Sequence, residues 1–415
     1  MVLILNTTEI ASALINFEAT YPDLCRRLQL PKKTYEGRVC HALQITKGHA
    51  QHKPVVLIIA GVHAREWGGP DIVVNFAGDL LRAHSKGKGL QYLKKTFSAR
   101  DIRTIVEERT LVVFPCVNPD GVEFSHTKRY LWRKNRNPAH SNGDAKKIGV
   151  DINRNYDFMW DFKKFFHPAA WSDSLASDNP AIETFHGPKP FSEPETQNVR
   201  WLMDRFNPVL FLDLHSYDGD VLFSWGSDEN QITDPSQNFM NPAYDGKRGR
   251  IGDTYREYLS VRDYETATGI ATAVSDAMRD VRNRLYKPLQ AVGLYPTCGA
   301  SDDYAFSRHL VHPGVNQDVF LHSRIQLRGG HQRSVSSDLE SEDTRQDDAR
   351  RHTGAYRFLS HAASLGRAAL LLVITFCLVT AGHFGIGALC AGRVASSHCT
   401  IARLGDVLAA LGLRV

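Results

Sequence analysis

The chain has 415 residues, 42% of them hydrophobic and 23% charged, with a formal net charge of +5. This is globular composition, long enough for one large domain plus an extra segment, and it excludes collagen-like, wholly disordered and disulfide-scaffold chains. A positive balance this small over this length gives no basis for nucleic acid as a partner.

In chain order, Met1-Val-Leu-Ile-Leu5 turns polar at Asn6. That run is too short for a signal-peptide core and lacks a basic flank, so a cytoplasmic location is favoured. Residues 55–60 (VVLIIA) are an unbroken apolar run expected to form a buried strand, followed by a turn at Gly61-Val-His63. Pro70 is expected to open a helix whose apolar positions include Ile72, Val73, Phe76, Leu80 and Leu81. Residues 111–117 read as a second buried strand, stopped by the turn signal Asn118-Pro-Asp-Gly121. Ser192-Glu-Pro-Glu195 reads as a capping box, Ser at the N-cap and Glu at N3, starting a helix toward Met203. A third strand is expected over 209–214 and a helix over 267–285. Buried strands alternating with helices predict an α/β fold, a three-layer α/β/α arrangement with a mixed, mostly parallel central sheet. Such sheets place ligands at the carboxyl ends of their strands, and His63 and His215 each sit just past one.

The composition changes after about Phe320. The main folded domain is therefore expected over 1–320, followed by a low-complexity tail over 321–415. Within the tail, 334–351 is polar and charged and reads as disordered. Residues 368–392 are largely apolar and long enough to span a bilayer, although His383 and four glycines weaken that reading. The seven cysteines (Cys25, Cys40, Cys116, Cys298, Cys377, Cys390 and Cys399) are odd in number and lack C-x-x-C spacing. They read as free, mostly buried thiols of a reducing compartment.

The chemistry concentrates around His63-Ala-Arg-Glu66. A His and a Glu three apart on a tight turn can aim both side chains at one point. Catalytic zinc takes three protein ligands and leaves one position open, so a third ligand must come from another strand end. His215, in Phe211-Leu-Asp-Leu-His-Ser-Tyr217, qualifies. Alone, H-x-x-E is more often surface polarity than a metal site. Placement after a buried strand, with a second His after another, changes that balance.

From Gly61-Val-His-Ala-Arg-Glu-Trp67 the sequence resembles the zinc metallocarboxypeptidases of the pancreatic carboxypeptidase A/B type. The resemblance runs from about Thr34 to about Leu310. It includes Leu131-Trp-Arg-Lys134, Gly149-Val-Asp-Ile-Asn-Arg-Asn155, Pro190-Phe-Ser-Glu-Pro-Glu-Thr196 and Tyr295-Pro-Thr-Cys-Gly-Ala-Ser-Asp-Asp-Tyr304, in the family's order. It implies one zinc per chain, held by His63, Glu66 and His215, with Asp151 accepting a hydrogen bond from the His63 ring. It implies that Asn153 and Arg154 clamp the terminal carboxylate of a peptide or protein, a task suited to arginine's planar fork. Arg133 would polarise the scissile carbonyl and stabilise the oxyanion. Arg65 would contact the peptide further along the cleft, and Tyr217 and Tyr295 would line the site, Tyr295 on a closing loop. Asp302, seven after the closing tyrosine, would select a basic C-terminal residue, with neighbouring Asp303 as the alternative in a shifted register. The bland readings beside these are a turn aspartate at Asp151, surface ion pairs for the arginines and buried structural tyrosines. The expected protein is a monomer.

One element departs from the family pattern. The family places its general base on a late strand of the form Phe-Thr-hydrophobic-Glu-Phe, and here the chain reads Leu321-His-Ser-Arg-Ile-Gln-Leu327. Leu-His-Ser-Arg-Ile can be encoded CUU CAC UCU CGA AUU, with these synonymous codons chosen to fit. Read one nucleotide later, this gives Phe-Thr-Leu-Glu-Phe. We therefore expect a shifted reading frame near Phe320, which makes 368–392 an off-frame stretch rather than a selected membrane span. Two rivals stand beside the peptidase reading. One is an inactive zinc protein that binds peptide C-termini, tethered to a membrane by its tail. The other is a zinc amidohydrolase acting on small acylated amino acids.

Overall fold

A computed structural model describes residues 4–93, 95–216, 219–282, 286–311 and the strand at 321–326. Eight strands form one sheet: β1 (Cys25–Lys33), β2 (Val39–Ile45), β3 (Val55–Ala60), β4 (Thr110–Phe114), β5 (Leu210–His215), β6 (Asp220–Phe223), β7 (Lys287–Gln290) and β8 (Leu321–Gln326). Their order is β1-β2-β4-β3-β5-β8-β6-β7. The four central strands β4, β3, β5 and β8 run parallel, β1 and β2 are antiparallel additions at one edge, and β6 pairs antiparallel with β8. The helices among the described residues are α1 (Thr7–Thr20), α2 (Gly68–Ser85), α3 (Ala99–Glu108), α4 (Pro119–Thr127), the single turn α5 (Phe162–Phe165), α6 (Pro194–Phe206), α7 (Val261–Arg282) and α8 (Ser301–Val311).

β3, β4 and β5 are buried at every position, which is why their sequences are apolar runs rather than alternations. Val55, Leu57 and Ile59 pack in one cluster with Val199, Leu202 and Met203 of α6. The alternate residues turn to the other face. There α2 comes so close that a Cβ on Gly69 would lie 2.8 Å from the Leu214 carbonyl oxygen and 3.2 Å from the Ala60 Cβ. Helices on both faces of a mixed sheet make the expected three-layer α/β/α arrangement. The sheet reaches into 321–326, past residue 320, where the sequence reading ends the catalytic domain.

Three local expectations are corrected. Ser192-Glu-Pro-Glu195 is not a capping box: the N-cap of α6 is Glu193, with Pro194 at the first helical position and no side-chain cap. The Ser192 hydroxyl is taken up instead, accepting from Asn155 Nδ2 and donating to Glu193 Oε1. Asn118-Pro-Asp-Gly121 starts a helix rather than a loop, because Asn118 Oδ1 accepts from the Gly121 N–H and Pro119 tolerates the first position. The helix expected over 267–285 begins at Val261, where the Ser260 hydroxyl accepts from the Asp263 N–H.

Cys25, Cys40, Cys116 and Cys298 are free and buried. The other three cysteines, and the segments 334–351 and 368–392, lie outside the described residues. No helix among the described residues is long and apolar enough to cross a membrane.

The start of α6 buries two carboxyls. Glu195 Oε2 accepts from Asn135 Nδ2, which also donates to Glu193. Burial, then the Glu193 charge beside it, pushes the Glu195 carboxyl up from 4.5 to about 8. The folded state therefore holds a proton that the unfolded chain releases above about 4.5. Stability contributed by this protonated carboxyl is full below that pH and falls as pH rises toward 8, by up to about 1.4 kcal/mol per pH unit. Glu195→Gln is expected to flatten that slope and raise the melting temperature at pH 8, measured by thermal unfolding across the range.

Candidate active site

The site is assembled by the turns after β3 and β5. Gly61 leaves β3 with φ +67, and a Cβ there would lie 3.1 Å from Pro70 Cγ and 3.3 Å from Cys116 Cα. Only glycine enters this turn without strain. It delivers His63 and Glu66, while His215 is the last residue of β5.

His63, Glu66 and His215 are buried, and one ligand atom from each lies within 4.8 Å of the others. His63 Nδ1 is 2.7 Å from Glu66 Oε1 and 3.1 Å from His215 Nδ1. His215 Nδ1 is 2.8 Å from Glu66 Oε2, which also accepts from the Ser216 N–H at 3.0 Å. The Nε2 atoms face carboxylates: Asp151 Oδ1 lies 3.5 Å from His63 and Asp213 Oδ2 lies 3.0 Å from His215. An ionised carboxylate only accepts, so with a cation at the Nδ1 side each ring carries its proton on Nε2, toward Asp151 or Asp213, and turns its Nδ1 lone pair inward. Two lone pairs and a carboxylate aimed at one buried point repel one another without a cation between them. Two imidazoles and one carboxylate are a donor set that catalytic zinc takes, so the residues fit that metal.

Burial pushes the Glu66 carboxyl up, but the two imidazoles outweigh it and hold the group well below the usual carboxylate range. Burial likewise opposes ionisation of Asp151, and the Arg133 guanidinium overrides it. Burial and then the Arg133 charge lower the His63 pKa, which keeps the ring neutral as a ligand must be. Arg133 gives Nε and Nη2 to Asp151 Oδ2 at 3.0 and 2.9 Å, and its Nη1 lies 3.4 Å from His63 Nδ1. Its free edge therefore faces the ligand cluster.

Next to this lies the turn Ile152–Arg154. Asp151 Oδ1 accepts from the Asn153 N–H, and Asn153 Oδ1 accepts from the Ser301 N–H at 2.8 Å. Asn153 Nδ2 is left buried without a protein partner. Arg154 is fully buried and donates to the carbonyls of Asn153, Ser174 and Leu175, each at 2.7 Å. A guanidinium has five N–H groups, so these three bonds fix it in place and leave two. The Tyr295 ring centroid lies 5.9 Å from the Arg154 guanidinium carbon. Asp302 and Asp303 are both buried in the first turn of α8. Asp303 accepts from the Gly226 N–H through both oxygens, and burial with Asp302 beside it holds its carboxyl well above the usual range. Asp303 is thus tied to backbone. Arg65 is engaged by Glu183 at 2.9 Å. Tyr217 lies outside the described residues.

The sequence reading missed Asp213. Its signal was available: Asp213 and His215 are two apart on one strand and so share a face. Asp213 also accepts from the Ser301 hydroxyl at 2.6 Å, which links β5 to α8. Asp213→Asn is expected to lower zinc affinity about 10–100-fold without unfolding the chain, because the amide no longer enforces the His215 tautomer. A chelator-competition titration measures it.

Comparison with known proteins bears on the family and the fold. Residues 10–333 match a family model described as zinc carboxypeptidase. The chain is 29% identical to "Carboxypeptidase B" of Astacus astacus, over 72% of this chain and 80% of that protein. It is 26% identical to "Carboxypeptidase A4" of Mus musculus, over 63% of this chain and 59% of that protein. It is 32% identical to "Zinc carboxypeptidase A 1" of Drosophila melanogaster, over 47% of this chain and 40% of that protein. The chain thus spans less than two thirds of the mouse and fly relatives. Among solved structures, bovine thrombin-activatable fibrinolysis inhibitor superposes with a TM-score of 0.63 at 18% identity, covering 91% of this chain and 98% of that one. The carboxypeptidase A of Helicoverpa armigera superposes at 0.58 and 20% identity, covering 87% and 74%. These two likenesses speak to the fold alone.

Proposed function

The chain belongs to the zinc carboxypeptidase family, and we propose that it hydrolyses the C-terminal peptide bond of peptides or proteins. The observation that carries this reading is the buried His63, Glu66, His215 cluster with Arg133 Nη1 3.4 Å from a ligand atom. Bound zinc, held by those three residues, supplies Lewis acidity that polarises a carbonyl and makes water a nucleophile near neutral pH.

The chain's own groups do the rest. Asp151 and Asp213 hold the two imidazoles in the ligating tautomer. The unpartnered Asn153 amide and the two remaining Arg154 N–H groups receive the terminal carboxylate, so only a chain end fits. The free edge of Arg133 meets the negative charge that grows on the scissile carbonyl oxygen. Tyr295 closes over the Arg154 side, and Arg65 takes the peptide further along. Asp302 favours a Lys or Arg side chain at the C-terminus, and the tie of Asp303 to Gly226 supports Asp302 over its neighbour.

A second reading is favoured by one observation. β8 lies beside β5 with Arg324 opposite Asp213 and Gln326 opposite His215, and no Asp or Glu occurs in it. Without a carboxylate to accept the water's proton, this chain binds peptide ends and turns them over poorly. A shifted frame near Phe320 restores the glutamate.

The test is mass spectrometry of peptides incubated with the zinc-loaded chain. Release of single C-terminal residues, faster for Lys or Arg than for Phe, is expected. Hydrolysis of acylated amino acids but not of peptides overturns the peptidase reading.

A further inference from the structure

Arg65 stands between two of the metal-binding residues in His63-Ala-Arg-Glu66, and it is already occupied. Its Nη1 donates to the Leu131 carbonyl at 3.0 Å and to both oxygens of Glu183, at 2.9 and 3.0 Å. The two partners are unequal: the Arg65 side chain is 17% exposed and the Glu183 side chain 57%. Arg65 is fixed from below, since the turn is pinned by the Ala64 N–H donating to the Arg133 carbonyl. Glu183 reaches in from solvent. Its backbone is held at the site as well, because the Asp151 N–H donates to the Phe185 carbonyl and Lys134 Nζ donates to the Pro180 carbonyl. The carboxylate can therefore leave Arg65 without leaving the rim.

We propose that Glu183 is a specificity-determining residue for the peptide upstream of the scissile bond. The proposal rests on the peptide-end reading above, in which a bound peptide runs along Arg65. A peptide long enough to reach Arg65 takes the N–H that Glu183 now uses. The displaced carboxylate then stands beside the peptide with its charge unpaired. A Lys or Arg side chain at that point pairs with it, and an Asp or Glu side chain is repelled. A peptide too short to reach Arg65 leaves the pair closed. The selectivity is electrostatic and half in solvent, so it weakens as salt is raised.

The experiment compares the zinc-loaded chain with its Glu183→Gln variant by fluorescence anisotropy. The probes are labelled peptides of four residues sharing one C-terminal residue and carrying Lys, Gln or Glu at the third position from the end, with a labelled dipeptide as control. The wild-type chain is expected to bind the Lys peptide roughly two- to fivefold more tightly than the Gln peptide and the Glu peptide correspondingly less, the worth of one exposed ion pair. In Glu183→Gln this ranking collapses and the Gln peptide binds more tightly than to wild type, while the dipeptide binds both chains alike. A ranking that survives in Glu183→Gln overturns the proposal. So does an equal loss of dipeptide and tetrapeptide binding, which marks Glu183 as a support of the fold. Failure of the wild-type chain to bind any of the probes overturns the peptide-end reading itself and this proposal with it.

Discussion

Glu66→Gln is expected to cost at least about 100-fold in zinc affinity while leaving the fold intact. The substitution keeps the size of the side chain and removes the one anionic ligand. That charge is expensive to bury, and it lies 2.7 and 2.8 Å from the His63 and His215 Nδ1 atoms, where a bound cation offsets it. In the variant, an amide NH2 can donate to an inward-facing Nδ1 and satisfy it without a metal. The loss should therefore exceed the 10–100-fold typical of a partner behind the ligand, such as Asp213. Chelator-competition titration measures the affinity, and circular dichroism checks the fold. Zinc affinity within tenfold of wild type contradicts the ligand assignment.

The second large effect lies in β8. Two recombinant versions of the protein, one as given and one with Phe-Thr-Leu-Glu-Phe in place of 321–325, are expected to differ by about 10²–10⁴-fold in kcat, the usual worth of a general base. KM should change far less, since the zinc ligands, Asn153 and Arg154 come from other elements. Sequencing the transcript across the codons for 318–330 then says which version is the native one. A continuous frame encoding a Phe-Thr-x-Glu-Phe strand identifies an active enzyme. Codons for Leu321–Gln326 as written identify a chain that binds peptide ends and turns them over poorly. Equal kcat for the two versions contradicts the assignment of the base to this strand.

How much of this was legible in the sequence depended on whether the signal was local. Val55–Ala60 was read with its true bounds, because a strand buried on both faces has no polar position to blur its ends. His63 and Glu66 were legible because they follow such a strand, and His215 because it ends one. The capping box failed for a reason outside its four residues: the Ser192 hydroxyl is taken by Asn155, 37 positions away in sequence. The start of α7 was missed because 261–266 is polar and its signal is the Ser260 cap rather than apolar spacing. Asp213 looks like any residue of a strand until the sheet sets it behind His215. Glu183 is legible from no motif, since only the fold brings residues 65 and 183 together. The roles drawn from resemblance were those whose residues sit in contiguous motifs, and the pairings between motifs came from the structure.

Recognition of a free chain end at Asn153 and Arg154 is what makes the protein an exopeptidase. The most direct measurement is the affinity of the zinc-loaded chain for a short peptide ending in Lys, compared with the same peptide carrying a C-terminal amide. Amidation removes the charge that pairs with a buried guanidinium, a loss of about 2–5 kcal/mol, or roughly 30- to several-thousand-fold in Kd. A loss in that range is expected. Equal affinity for the acid and the amide contradicts chain-end recognition.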